Sequence, residues 1–123
     1  MITNVASAVL YVGNQDDALA FYRDVLGFDV VKDAEMGPGS RWIEVKPPGA
    51  QTSIVLSAAA AFDKTPGDGA FLTFAADDIQ ATVNQLRGRG AVVSDPVTAP
   101  WGSYATVAAP DGHQLQFNER PHG

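Results

Sequence analysis

The 123 residues fit one ordinary domain, and with 46% of them hydrophobic the chain can bury a core without staples. There is no cysteine, which excludes a disulfide framework, a thiolate metal site and a cysteine nucleophile. The net charge of −6, with Lys and Arg scattered singly apart from Arg87 and Arg89, argues against nucleic acid and against anionic membranes, and it suits neutral or cationic small molecules.

In chain order, "VASAVLYV" (5–12) alternates and is rich in branched residues, so it reads as a strand. The run "NQDDALAFYRDVLGF" reads as a helix capped by Asn14, with Asp16 and Asp17 in its first turn and Gly27 as its stop. Short strands are expected at "FDVV" (28–31), "SRWIEV" (40–45) and, after the turn "PPG" (47–49), at "TSIVL" (52–56). A loop, "SAAAAFDKTPGDG" (57–69), follows. The order then repeats: strand "AFLTFA" (70–75), a helix capped by Asp77 or Asp78 and stopped by Gly90, and strand "AVV" (91–93). Strand "SYATVA" (103–108), turn "PDG" (110–112) and strand "QLQFN" (114–118) complete it.

An offset of 63 residues carries Gly27 onto Gly90, Ser40 onto Ser103, Pro47 onto Pro110 and Gly49 onto Gly112. An offset one residue longer carries Leu19 onto Val83 and Tyr22 onto Leu86. The chain therefore reads as an α+β fold of two pseudo-symmetric βαβββ modules within a single domain, 1–123: module one about 5–56, linker 57–69, module two about 70–119. Each sheet buries one face under its helix, so two curved sheets would form a cleft with their other faces. Strand alternation gives that cleft Ser7, Val9, Tyr11, Val55, Phe71, Thr73, Gln114, Gln116 and Asn118.

No basic leader region opens the sequence and no apolar run nears the roughly 20 residues that span a bilayer, so a cytoplasmic location with no membrane partner is expected.

"VLYVGNQDDALAFYRDVLGF", "FAADDIQATVNQLRGRGAVV" and "PDGHQLQF" together resemble the vicinal oxygen chelate superfamily, the group of glyoxalase I, extradiol dioxygenases, fosfomycin-modifying thiol transferases and bleomycin resistance proteins. The resemblance covers nearly the whole chain and implies paired βαβββ modules, a homodimer, and a ligand cleft. Enzymes of the family usually hold one divalent metal there. The four ligand positions that the resemblance implies fall on Ser7, Val55, Phe71 and Gln116. Val and Phe have no donor atom, and neutral Ser and Gln are poor ligands alone, so neither a metal nor another cofactor is expected.

Single residues divide between function and packing. His113 reads as the exposed start of a hairpin strand, and His122 as part of a loose terminus. Gln116 needs hydrogen-bond partners, from protein or ligand. Phe71, Trp42, Trp101 and Tyr104 serve equally as aromatic walls or as packing, and Phe62 as a lid or as part of a mobile linker. Arg41 shares Tyr104's place in the 63-residue frame and, having opposite parity to Glu44, cannot face the same side. The candidate ligand-binding set is Ser7, Val9, Trp42, Val55, Phe62, Phe71, Thr73, Trp101, Tyr104 and Gln116. Three readings follow. One is a metal-independent protein that binds an apolar or aromatic small molecule, drug sequestration included. Another is a metal-dependent glyoxalase-like lyase or dioxygenase with Gln116, Glu119 and His113 as unorthodox ligands. The third is a protein-contact relic of the fold.

Overall fold

The computed structural model describes residues 1–38 and 40–120. His122 lies outside them. The described residues divide into two compact units, one of 1–70 (with residue 39 aside) together with 110–112, the other of 71–109 together with 113 onward.

In the first unit, β1 (Ser7–Val12), β2 (Asp29–Gly37), β3 (Ser40–Lys46) and β4 (Ser53–Ala58) form one sheet in the order β1-β4-β3-β2. β1 and β4 run parallel, and the remaining neighbours run antiparallel. Helix α1 (Gln15–Ala20) continues into a π-helical turn, Phe21–Val25. The Asn14 side chain accepts the Asp17 N–H at its start, as an N-cap should. Gly27 ends the turn at φ 77°, a left-handed conformation that glycine adopts without strain. Leu10, Val12, Leu19, Tyr22, Ile43, Val45 and Leu56 make the core between helix and sheet.

The second unit repeats this order. β5 (Leu72–Ala75), β6 (Val97–Ala99), β7 (Gly102–Ala108) and β8 (Gln114–Glu119) pair as β5-β8-β7-β6, with β5 parallel to β8. Helix α2 (Ile79–Gly88) is capped by Asp78, which accepts the Ala81 N–H. Ile79, Val83 and Leu86 meet Ala105, Val107, Leu115 and Phe117 in the core. Both units are thus βαβββ modules, and the pairs Leu19/Val83 and Tyr22/Leu86 are all buried. No helix among the described residues is long and apolar enough to cross a membrane.

Several expectations need correction. The strand expected at 28–31 extends to Gly37, with a bulge where the register shifts between Val30 and Lys32. That bulge and the charges of Asp29, Lys32, Asp33 and Glu35 blunt an exposed sheet edge. The strand expected at 91–93 is reduced to one bridge, Val93 to Val107. Regular pairing resumes only after Pro96, whose ring nitrogen has no N–H for the ladder, as β6. Along the edge of β1 away from β4, Asp68 C=O accepts the Tyr11 N–H at 2.9 Å, and Tyr11 and Val9 carbonyls accept from Gly67 and Ala70.

His113 is also corrected. It is 6% exposed, not an exposed hairpin start, because it shares the parity of Leu115 and Phe117 and so turns to the core side. Arg41 does not occupy Tyr104's place. Glu44 pairs with Val55, which pairs with Val9; Thr106 pairs with Gln116, which pairs with Thr73. The matched strands therefore set Glu44 against Thr106 and Trp42 against Tyr104, one residue off the 63-residue frame. Ala109, inserted between β7 and the Pro110 turn, accounts for the slip.

Candidate functional site

Strand pairing makes the helix-free face of each sheet explicit. In the first unit it carries Ser7, Val9 and Tyr11 from β1, Ser53, Val55 and Ser57 from β4, and Trp42, Glu44 and Lys46 from β3. β4 is buried on both faces, and Val55 is only 3% exposed. Ser7 is exposed, and Val9 and Trp42 are half-buried. The Trp42 indole N–H donates to Glu44 Oε1 at 3.0 Å. Phe62, in a 3-10 turn, is 51% exposed, and its ring lies 6.4 Å from that of Tyr11.

In the second unit the same face is laid out in rows across the strands. Thr73, Gln116 and Thr106 form one row, and Ala75, Asn118, Tyr104 and Val97 form the next. Gln116 Nε2 donates to Asn118 Oδ1 at 2.8 Å, so the two amides hold each other. Phe71, 67% exposed, stands at one end of the face. At the other end Trp101, 50% exposed, stacks on Tyr104 with centroids 5.5 Å apart and planes 16° from parallel. One uncharged polar row and one mixed row, Asn118 between apolar and aromatic neighbours, suit a flat molecule with edge donors or acceptors. A groove of about 600 Å³ opens off this face at the ends of β5 and β8, lined by Thr73, Ala75, Asp77, Asn118 and Arg120 among others.

The ten candidates therefore fall on two faces, one per unit: Ser7, Val9, Trp42, Val55 and Phe62 on the first, and Phe71, Thr73, Trp101, Tyr104 and Gln116 on the second. Arg41 belongs to neither. It turns to the α1 side, where its guanidinium pairs with Asp33 at 3.0 Å and with Asp16. Those two carboxylates raise its pKa, by hydrogen bonding first, Asp33 ahead of Asp16.

A metal at the four positions that the resemblance implies does not fit the residues present. Ser7 and Val55 stand on the first face, Phe71 and Gln116 on the second, and neither Val55 nor Phe71 has a lone pair to give. The unorthodox set does not assemble either. His113 turns to the core, Glu119 Oε1 accepts the Ile79 N–H at the head of α2 at 2.9 Å, and Gln116 bonds to Asn118 on the opposite face. Among the described residues no three His, Asp or Glu side chains gather as a metal site would need.

Asn118, already given to this face by strand alternation, gains Gln116 as its partner. Two residues of note lie outside the sequence reading: Glu44 follows from alternation once the register is known, and it bonds to the indole two residues away. Asp111 carries no such signal: at φ 66° its carboxylate accepts the Gly13 N–H at 3.0 Å.

A family model described as the Glyoxalase/Bleomycin resistance protein/Dioxygenase superfamily matches residues 4–117. YetH of Bacillus subtilis strain 168 is 29% identical over 120 residues, 97% of this chain and 100% of that protein. The crystal structure of TnmS3, an antibiotic binding protein from Streptomyces sp. CB03234, superposes with a TM-score of 0.85 at 33% identity, covering 98% of each chain. A superfamily member from Sphaerobacter thermophilus superposes with a TM-score of 0.86 at 32% identity, covering 97% of this chain and 98% of the other.

Proposed function

The chain belongs to the glyoxalase/bleomycin resistance protein/dioxygenase superfamily, and from that premise we propose that it binds an apolar or aromatic small molecule without a metal, with drug sequestration as the biological use. The observation that carries this reading is the second helix-free face, where Phe71 and the Trp101–Tyr104 stack flank rows of neutral Thr and amide side chains. Exposed aromatic rings grouped with polar neighbours are the kind of surface that binding sites use. The missing donor atoms at Val55 and Phe71 support metal independence. The similarity to an antibiotic binding protein supports the ligand class.

Stoichiometric binding on this reading is the activity, and no bond is made or broken. The rings provide stacking area, and Gln116, Asn118 and the threonines fix orientation through hydrogen bonds. The homodimer that the resemblance implies is part of the proposal, and light scattering on the purified chain tests it.

The decisive experiment is a thermal-shift screen of antibiotics, thiols and aromatic metabolites with and without chelator, alongside elemental analysis. Stabilisation by aromatic ligands that chelator leaves unchanged is the expected result. Near-stoichiometric nickel, zinc, iron or manganese, or chelator-sensitive turnover of a hemithioacetal or catechol, would overturn it.

A further inference from the structure

Gln116 and Asn118 stand two residues apart on β8, on the helix-free face of the second unit. Both are half-buried, and Gln116 Nε2 donates to Asn118 Oδ1 at 2.8 Å. A primary amide has an oxygen acceptor and two N–H donors. Once the two amides have joined, the Gln116 oxygen and the Asn118 NH2 group remain, and among the described residues neither has a partner. Turning both amides over exchanges these roles and leaves the same remainder, one oxygen and one NH2 group. The pair therefore has an acceptor and a donor to give to a single ligand.

The surroundings leave that remainder accessible and neutral. Asn118 is in register with Ala75 on one side and Tyr104 on the other. Ala75 is exposed and offers only a methyl group, and Ala75 and Asn118 both line the groove of about 600 Å³. Gln116 lies between Thr73 and Thr106, whose hydroxyls rotate to donate or to accept. No side chain of these two rows carries a charge. The next carboxylate along β8, that of Glu119, belongs to the opposite face and is engaged by the Ile79 N–H. An ion would satisfy only half of the amide pair: an anion the donor, a cation the acceptor. A neutral group with an N–H beside a C=O satisfies both. The Trp101–Tyr104 stack beside Asn118 supplies ring surface for a flat scaffold that carries such a group.

We propose that the Gln116–Asn118 pair reads a lactam-type edge, an N–H adjacent to a C=O, on a neutral flat ligand. The Gln116 oxygen accepts the ligand's N–H, and the Asn118 NH2 group donates to the ligand's C=O. This rests on the binding function proposed above and names the functional group that the ligand presents. Every residue it uses belongs to the second unit.

The test is equilibrium dialysis of the full chain against three probes with fused bicyclic rings: carbostyril, which is a lactam, its N-methyl derivative, and naphthalene. Carbostyril is expected to bind about tenfold more tightly than N-methylcarbostyril, which has lost the N–H and leaves the Gln116 oxygen unmatched. Naphthalene, with neither group, should bind more weakly still. Gln116→Leu should bring carbostyril and its N-methyl derivative to equal affinity. Asn118→Asp, whose carboxylate still accepts the Gln116 N–H but has no donor to offer, should shrink the advantage of N-methylcarbostyril over naphthalene. Each outcome is a ratio within one protein, so a general loss of affinity in a variant cancels, and the ranking in the unmodified chain depends on no variant folding. Equal binding of the three probes, or a carbostyril advantage that persists in Gln116→Leu, would overturn the role of the amide pair while leaving the binding function standing. Silence from all three probes would overturn both.

Discussion

Gln15 and Arg41 hold each other twice. The Gln15 amide N–H donates to the Arg41 carbonyl at 2.7 Å, and its oxygen accepts the Arg41 backbone N–H at 3.1 Å. The same Nε2 donates to the Leu56 carbonyl at 2.9 Å. Regular pairing of β3 with β4 covers Glu44–Val55 and Val45–Ile54, so a side chain from the first residue of α1 takes over where that ladder ends. Trp42 lies next to this join, and the position of the first helix-free face depends on it.

Gln15→Ala would leave two carbonyls and one N–H of a part-buried strand pair without this partner. The expected cost is about 2–3 kcal/mol. Urea denaturation should show a lower midpoint with an unchanged slope. A shift below about 0.5 kcal/mol would mean that solvent replaces the amide freely.

Tyr22 has the opposite problem. It is buried, and among the described residues its hydroxyl has no hydrogen-bond partner. Burial first, and the nearby Asp111 carboxylate second, raise its pKa far above the ordinary value. Tyr22→Phe removes an unsatisfied polar atom and keeps the ring contacts with Phe21 and Phe28, so it should stabilise the chain by about 1 kcal/mol. The pH sign follows from linkage. The unfolded tyrosine loses its proton near pH 10 while the folded one keeps it, so stability is full below about pH 10 and falls above it by up to about 1.4 kcal/mol per pH unit. Denaturation from pH 8 to 11 should show a flatter alkaline limb in Tyr22→Phe; parallel limbs would rule out the burial effect.

Gly69 tests the seam along β1. At φ 122° a β-carbon there would lie 2.5 Å from the Val9 carbonyl oxygen and 3.0 Å from the Leu10 Cα, both backbone atoms that side-chain motion cannot clear. Gly69→Ala should therefore cost upward of about 2 kcal/mol, read as a loss of thermal midpoint and of amide-exchange protection at Tyr11. Gly49→Ala, left-handed at φ 78° with nothing within 4 Å, supplies the comparison. It should cost about 1 kcal/mol from backbone strain alone.

These sites also show what the sequence could reveal. Alternation in β1 and β8 assigned faces to Leu10, Val12, Leu115 and Phe117 because one buried face leaves no freedom of register. Asn14 and Asp78 were legible as caps because their chemistry is local. The Arg41–Tyr104 equivalence failed because one inserted residue, Ala109, shifts a strand without leaving a periodic trace. His113 misleads a local reading because a place beside a turn suggests exposure, while its parity with Leu115 and Phe117 turns it to the core. Gln15 and Glu44 act across 26 to 41 residues of sequence or through a register, and no local pattern encodes either contact.

A binding role and a packing role predict opposite outcomes for the candidates on the two faces. Phe71 and Trp101 are 67% and 50% exposed, so Phe71→Ala and Trp101→Ala should each change stability by less than about 0.5 kcal/mol. If they flank the ligand, each truncation removes about 1–2 kcal/mol of binding, roughly 5- to 30-fold in Kd. Trp101→Ala should have the larger effect, because it also unlocks the Tyr104 ring on which it stacks. Val55, 3% exposed, should behave in the reverse way: Val55→Ala costs about 1–2 kcal/mol of stability with little direct change in affinity. Chelator added to any of these titrations should leave Kd and thermal midpoint where they were. Paired denaturation and calorimetry on the three variants would check this division. If Phe71→Ala and Trp101→Ala lost stability and kept affinity, the second face would be a packing surface and not a binding site.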